Sequence, residues 1–248
     1  MGEFPPGEGV AENAAKPWLQ RRGRLSPPVF SDFSLDNKLE FLYILSMAKF
    51  IDEDEKKEKK GSADAFAEKL LKTRQIVVSG EVNEELVEKI VKQLLVLEAD
   101  SDKPIYLYID SPGGSIDDGF GLYDMIRFIN APVYTIGMGL IASMGVTLFL
   151  SVPKERRFSL PNSHFLIHQP LMGGSRGVAT DIEITAQEIS KSRENLTKLI
   201  AEATGKDFET VKKDTERDHW LTAQEAFEYG LVGKIVSSRH DLQLEVKA

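Results

Sequence analysis

Cysteine is absent from the 248-residue sequence, which excludes a disulfide framework, a thiolate metal site and a cysteine nucleophile. Positive charge is not in excess either, since the formal net charge is −8. This balance argues against the basic surface that nucleic-acid binding uses. The sequence also lacks an apolar run long enough to cross a membrane, and its start, MGEFPPGEGV, is unlike a signal peptide. We therefore expect no nucleic-acid or membrane partner and a cytoplasmic protein, or one of an organelle matrix or stroma.

The composition that is present, 42% hydrophobic and 28% charged residues, is typical of a globular α/β domain. Residues 1–63 are proline-bearing and then strongly charged, and we interpret them as an N-terminal extension that is partly disordered. Within this extension the apolar segment 39–50 needs a partner surface. Residues 64–240 are expected to form the main domain, and residues 241–248 a tail.

Regular alternation of strand and helix patterns follows from about residue 64. Short apolar runs predict strands at 75–80, 105–110 and 132–139, and amphipathic stretches after them predict helices. Two further short strands are expected around RRFSLP and HFLIHQP, and LVGKIV is expected to form the last one. This β-α-β rhythm predicts an α/β fold with mostly parallel strands.

Helix-ending signals are clear in the second half of the chain. A long helix is predicted from about Val178 to Thr204, because Gly205 follows it as a natural terminator. Thr222 and Glu225 have the spacing of a capping box, and Gly230 is a predicted C-cap.

Two strand-to-helix junctions are candidate sites for an oxyanion, because helix starts present unpaired backbone N–H groups. One is DSPGGS at 110–115, and the other is GMGLIASMG at 137–145, which places Ser143 at a predicted helix start. Ile141 stands where the hydrolase elbow G-x-S-x-G requires glycine, so that motif is excluded. A reactive Ser143 would need a base, and the base would need an orienting group.

Only four histidines are available as that base. His168 ends the apolar strand FLI just before Pro170, which places it at a strand's carboxyl end, where Ser143 is also expected. His164 falls at the beginning of that strand, and His219 and His240 are explained as surface residues. Spacing does not choose the orienting carboxylate among Asp110, Asp117, Asp118, Asp181, Asp214 and Asp218.

Four blocks of the sequence, taken in order, supply information that the periodicity of strands and helices does not. They are YIDSPGGSIDDG, MGLIASMG, RRFSLPNSHFLIHQPLMGGSRGVATDIEI and DTERDHWLTAQEAFEYGLVGKIV. Together they resemble the proteolytic subunits of the Clp protease family (ClpP) over about residues 66–237. The resemblance implies serine endopeptidase activity and a crotonase-like fold, a repeated β-β-α superhelix with a mostly parallel sheet. It also implies a protruding helix-strand handle at about 170–205.

The resemblance implies a role for each matching residue. Ser143 corresponds to the nucleophile, His168 to the general base and Asp218 to the orienting carboxylate, while Gly114 and Met144 correspond to the oxyanion-hole donors through their backbone N–H groups. The implied substrate-binding residues are Gly113, Ser115, Ile116, Pro170 and Leu171. Glu216 and Arg217 resemble the inter-ring ion pair, and Tyr106 and Tyr108 fall near the docking site for the ATPase, with buried strand packing as the competing explanation.

The resemblance further implies an assembly of two stacked heptameric rings that receives unfolded proteins from an AAA+ unfoldase of the ClpX or ClpA type. No G-x-x-x-x-G-K-[ST] motif is present, so we expect ATP use only by the partner. We also expect no metal and no cofactor in this chain. The alternatives are an acyl-CoA hydratase of the crotonase fold, and a paralogue that acts as a scaffold or works only in a mixed ring.

Overall fold

A seven-stranded sheet organises the part of the chain that the computed structural model describes, residues 68–174 and 176–242. Its strands are β1 (Gln75–Ser79), β2 (Ile105–Ser111), β3 (Val133–Ala142), β4 (Arg157–Ser159), β5 (His164–Ile167), β6 (His219–Thr222) and β7 (Lys234–Ile235). The helices are α1 (Glu84–Asp100), α2 (Ile116–Phe128), α3 (Met144–Phe149), α4 (Ala179–Thr204), α5 (Phe208–Asp214) and α6 (Ala223–Tyr229). Short 3₁₀ turns occupy Lys154–Arg156 and Arg239–Leu242, and residues 68–72 are helical.

The helix ends follow the signals in the sequence. The side chain of Asn83 accepts a hydrogen bond from the Leu86 N–H and caps α1. Helix α4 ends at Gly205, which has a left-handed backbone with φ +76°. Thr222 and Glu225 form the reciprocal capping box at the start of α6. The predicted terminator at Gly205 and the predicted capping box of Thr222 and Glu225 are therefore confirmed.

Parallel pairing joins the strands in the order β1-β2-β3-β4-β7. Strand β3 is the branch point: residues 135–137 pair with β4, whereas residues 140–142 pair with β5. Between these halves Gly139 adopts φ +63°, and the Leu140 N–H donates to Asp110 Oδ1 at 3.0 Å. The predicted strand end at residue 139 is therefore wrong, because this glycine marks a bulge through which the strand continues to Ala142.

The sheet also contains one antiparallel pair of strands, whereas the β-α-β rhythm of the sequence predicts parallel strands. Strand β6 pairs with β5, and Ile167 lies opposite His219. Neither β6 nor the preceding α5 has a prediction in the sequence reading. The predicted last strand LVGKIV shortens to Lys234 and Ile235.

The main core lies between the sheet and helices α1, α2 and α3. Phe149 and Phe165 meet edge to face there, with ring centroids 5.2 Å apart, and both side chains are fully buried. A second, smaller cluster on another face of the sheet contains Ile136, Phe158 and Val236. This second cluster leaves aromatic rings half-exposed, a point that bears on partner binding below.

Among the described residues, no helix combines the length and the apolar character needed to cross a membrane. The predicted extension 1–63, with its apolar segment 39–50, lies outside the described residues, as do residues 243–248. Helix α4 falls within the predicted handle region 170–205.

Candidate active site

Ser143 occupies a sharp turn between the end of β3 and the start of α3. Its backbone has φ 54° and ψ −123°, a positive φ that a non-glycine residue rarely adopts and that costs energy. The Ser143 N–H donates to the Leu166 carbonyl at 2.9 Å, and the Ser143 carbonyl accepts from Val146 N–H at 2.9 Å. The turn is thus held from both sides. Although Ile141 excludes the elbow motif, the structure has a comparable strand–serine–helix turn with a strained backbone.

Two glycines bring the loop after β2 against this turn. A Cβ placed on Gly113 would lie 2.6 Å from Ser143 Cβ and 3.0 Å from the Met144 nitrogen, so a side chain there has no room. Gly114 packs equally closely on Val82, whose N–H donates to the Gly113 carbonyl at 2.8 Å. The close approach of the loop to Ser143 therefore requires glycine at 113, and its packing on Val82 requires glycine at 114.

The backbone N–H groups of Gly114 and Met144 are unused donors. Within the described part of the chain, neither N–H donates to a protein acceptor, whereas the flanking Gly113 N–H donates to Ser111 Oγ at 3.1 Å. Both residues line the same cavity as Ser143. Two free N–H groups beside a serine hydroxyl are what an oxyanion requires.

His168 directly follows β5 and lies on the wall of the cavity that contains Ser143. The next residue ties this segment to the loop after α5: Gln169 N–H donates to the Thr215 carbonyl at 2.6 Å, and Gln169 Nε2 donates to the Glu216 carbonyl at 2.7 Å. These bonds hold the chain just beyond His168 in place. Of the other histidines, His164 is exposed at the start of β5 and does not line this cavity.

Asp218 comes next to His168 through the antiparallel pairing of β5 and β6. Because Ile167 lies opposite His219, the next residues outward on the two strands are His168 and Asp218. Asp218 is exposed, and among the described residues no hydrogen bond joins Ser143 to His168 or His168 to Asp218. The fold of one chain therefore brings the three residues into one region without connecting them.

The cavity beside Ser143 has a volume of about 370 Å³. Of the predicted substrate-binding residues, four line it, namely Gly113, Ile116, Pro170 and Leu171. Ser115 does not; its hydroxyl accepts from the Asp118 N–H at 3.3 Å and caps α2. The sequence reading did not single out six further lining residues, which are Glu81, Pro112, Thr147, Ile167, Leu196 and Ile200.

Leu196 and Ile200 show why such residues escape sequence reading. They are four residues apart on α4 and share its inward face, which the apolar spacing alone indicates. The sequence does not indicate which part of the molecule this face covers. In the structure the carboxyl-terminal half of α4, which belongs to the predicted handle region, also forms a wall of the cavity.

Arg157 fastens the end of α4 to the rest of the domain. Its Nε donates to the Val152 carbonyl at 2.7 Å, and one terminal nitrogen donates to the Ala203 carbonyl at 2.9 Å. Burial lowers the pKa of this guanidinium to about 10, which still leaves it charged near neutrality. The wall formed by α4 is thus held by a buried cation.

The predicted inter-ring residues Glu216 and Arg217 are exposed on the loop that also carries Asp218. The predicted docking residues Tyr106 and Tyr108 lie on β2, where they alternate with buried aliphatic residues. Both are half-buried against the second cluster, and Tyr106 stacks on Tyr134 with ring centroids 5.6 Å apart. Each of the two tyrosines is therefore packed against the second cluster and also partly exposed to solvent. Among the described residues, no three His, Asp or Glu side chains gather as a metal site.

Comparison with known proteins agrees with these observations. The family model described as Clp protease matches residues 56–239. The proteolytic subunit 2 of the ATP-dependent Clp protease of Treponema denticola is 58% identical over 196 residues, covering 78% of this chain and 98% of that protein. The corresponding subunit 2 of Treponema pallidum is 55% identical over 178 residues, covering 71% and 89%. Among solved structures, a ClpP1 mutant from Listeria monocytogenes has 45% sequence identity and a TM-score of 0.67, covering 72% of this chain and 99% of that one.

Proposed function

Since the chain belongs to the Clp protease family and is a serine peptidase of that family, we propose that it cleaves polypeptides with Ser143 as nucleophile and His168 as general base. One observation carries the assignment: Ser143 stands on a strained turn in a cavity that also contains His168 and two unused backbone N–H donors. A serine beside a histidine favours acyl transfer to serine over the acyl-CoA hydratase alternative.

In the proposed reaction, Ser143 Oγ bonds to the carbonyl carbon of a peptide while its proton passes to His168. The tetrahedral intermediate then collapses, the C–N bond breaks, and His168 returns the proton to the departing amine. Water attacks the resulting acyl-enzyme by the same route. This releases the carboxylic acid and restores the Ser143 hydroxyl.

Charge develops on the former carbonyl oxygen during both steps, and we assign its stabilisation to the N–H groups of Gly114 and Met144. Removing one such donor typically costs ~3 kcal/mol in the transition state. The Gly113 backbone, which packs on Ser143 and Met144, sets the separation of these donors from the nucleophile. The strained Ser143 backbone supports this arrangement, because strain of this kind persists where surrounding contacts enforce it.

Asp218 is proposed as the carboxylate that orients His168. It is exposed and makes no hydrogen bond to His168 in the described single chain, so the proposal requires a further element to bring the two together. Glu216 and Arg217 share its loop and are exposed as well. We propose that they pair across two stacked rings and thereby align Asp218 with His168.

An extended substrate is proposed to run between the chain at Gly113–Ile116 and the chain at Pro170–Leu171. The cavity opens between these two segments, and backbone pairing along an extended peptide depends little on side chains. The expected assembly is two stacked heptamers of this chain, or a mixed ring with a paralogue. The exposed apolar residues Leu171, Val178, Ile182 and Ile184 of the handle region support burial between subunits.

An AAA+ unfoldase of the ClpX or ClpA type is proposed to supply unfolded protein to this chamber, using ATP that this chain does not bind. Tyr106 and Tyr108 are proposed as part of its docking surface. Tyr134 and Phe158 continue the same stacked aromatic row, with ring centroids 6.2 Å apart. Phe158 is buried, whereas the three tyrosines are half-exposed, and half-exposed aromatic side chains are common anchors in protein interfaces. A cytoplasmic location is part of the same proposal.

Labelling with a fluorophosphonate tests the nucleophile. The wild-type protein is expected to react and Ser143→Ala to lose the label, because no acyl or phosphonyl acceptor remains. Ser101→Ala is a matched control: that residue caps the far end of α1 and should keep full labelling. An unlabelled wild-type chain in intact rings would contradict the catalytic assignment and favour the scaffold alternative.

A further inference from the structure

The pairing of β2 with β3 shifts its register just before the active site. Ile109 lies opposite Gly137, whereas Ser111 lies opposite Ile141. Over this step β2 advances by two residues and β3 by four, so β3 carries two extra residues in a bulge around Gly139.

The bulge decides which residue of β3 meets the loop after β2. Ser111 is paired with Ile141. Two residues further along each chain lie Gly113 and Ser143, and a Cβ added to this glycine would lie 2.6 Å from Ser143 Cβ. A ladder that kept the earlier register would place Gly113 opposite Ile141 instead. The bulge therefore sets the serine beside the loop that carries the Gly114 N–H.

The side chain of Asp110 closes this bulge. Its Oδ1 accepts a hydrogen bond from the Leu140 N–H at 3.0 Å, and a Cβ added to Gly139 would lie 2.8 Å from the same oxygen. The backbone of Asp110 is itself held from the side of β1, because its carbonyl accepts from the Gly80 N–H at 3.1 Å. Without the carboxylate the Leu140 N–H would lose this acceptor, which is unfavourable inside a sheet.

Asp110 does not belong to the described wall of the cavity beside Ser143, so it acts at a distance from a bound substrate. Strand β5 separately holds the residues of β3 beyond the bulge, because residues 140–142 pair with residues 164–166. Loss of the Asp110 carboxylate should therefore leave the fold intact. It should loosen only the position of the Ser143 turn relative to the loop after β2.

We propose that Asp110 is a positioning residue, which sets Ser143 at the correct distance from the Gly114 N–H by closing the bulge of β3. This role rests on the proposed peptidase function. It differs from that of the orienting carboxylate, because Asp110 acts through the backbone of the bulge and not on His168. The affected step is formation of the tetrahedral intermediate, in which the serine hydroxyl and the oxyanion-hole donors act on the same carbonyl group.

The test compares Asp110→Ala, which removes the acceptor, with Asp110→Asn, which keeps an acceptor oxygen on a side chain of the same shape. The values of kcat and KM are measured on a short fluorogenic peptide, together with the rate of fluorophosphonate labelling and the midpoint of thermal unfolding. Glu98→Ala is the matched control. The Glu98 carboxylate also accepts from a backbone N–H, that of Asn130, at 2.6 Å across 32 residues of sequence, and it does not line the cavity.

We expect Asp110→Ala to lower kcat about 10–100-fold and to leave KM within about twofold, because misplacement of reacting groups by up to about 1 Å has an effect of this size. Fluorophosphonate labelling should slow in parallel, since it uses the same serine and the same donors. Asp110→Asn should recover kcat to within about threefold of wild type, because the acceptor is restored. Glu98→Ala should keep wild-type kcat even where its unfolding midpoint falls.

A folded Asp110→Ala variant with wild-type kcat overturns the proposal. A loss in Asp110→Asn or in Glu98→Ala as large as that in Asp110→Ala overturns it as well. If Asp110→Ala does not fold, Asp110→Leu keeps a branched side chain without an acceptor and is judged by the same criteria. A wild-type protein that cleaves no peptide and takes no fluorophosphonate label instead contradicts the proposed catalytic assignment of Ser143 itself.

Discussion

Replacing Gly113 by alanine adds a single methyl group at the closest contact between the two halves of the site. The new Cβ would lie 2.6 Å from Ser143 Cβ, 2.9 Å from the Ala142 carbonyl oxygen and 3.0 Å from the Met144 nitrogen. Two of these three atoms belong to the backbone, so no flexible side chain can move away to make room.

The size of the effect follows from these distances. Ordinary contact begins near 3.4 Å, so the loop and the Ser143 turn must separate by roughly 0.8 Å. Misplacement of reacting groups by about 1 Å can cost about 10²-fold in rate, which equals about 2.7 kcal/mol of transition-state free energy. The positive φ of 95° adds about 1–2 kcal/mol of backbone strain to the folded state.

The assay measures kcat/KM on a short peptide together with the midpoint of thermal unfolding. Gly205→Ala is the control, because Gly205 also has a positive φ, of 76°, but has no atom within 4 Å of an added Cβ. Both variants should be destabilised by strain, and Gly113→Ala alone should lose about 10²-fold in kcat/KM. The reasoning is refuted if folded Gly113→Ala keeps wild-type kcat/KM, or if Gly205→Ala loses activity to the same extent.

Three further predictions concern the base, the ring contact and the docking surface. Peptide cleavage should fall on acidification, because a protonated His168 cannot accept the Ser143 proton. A rate that stays flat down to about pH 5 would contradict the assigned base. The variant His168→Ala should abolish peptide cleavage near neutrality. Arg217→Ala should shift sedimentation toward single rings and lower peptide cleavage in parallel, whereas full activity in dissociated rings would argue against coupling between assembly and Asp218. Tyr108→Ala should slow unfoldase-dependent degradation of a folded protein while short-peptide cleavage by the isolated rings persists; equal losses in both assays would assign Tyr108 to folding instead.

Local elements of the fold could be predicted from the sequence because their signals are local. The strands β1, β2 and β5 appear as short apolar runs, and α4 and α6 have caps or terminators at the residues that the structure confirms. Ser143 at a strand-to-helix junction and His168 at the end of a strand also follow from sequence position. Their roles came from the resemblance of four collinear blocks, because spacing left six aspartates open.

Pairing between distant segments could not be predicted in this way. The continuation of β3 past Gly139 depends on Asp110, which lies 30 residues away and accepts the Leu140 N–H. The position of Asp218 beside His168 depends on antiparallel pairing of β6 with β5 across a separation of about 50 residues.

The sequence by itself determined which residues can react and which faces of each helix and strand are apolar, since both are properties of residue type and period. Only the tertiary structure decided what those faces cover. It placed Leu196 and Ile200 of the long helix, together with Thr147, on the wall of the cavity beside Ser143. The physical reason is that periodicity records burial along one segment, whereas a cavity is defined by the meeting of several segments that are remote in the chain.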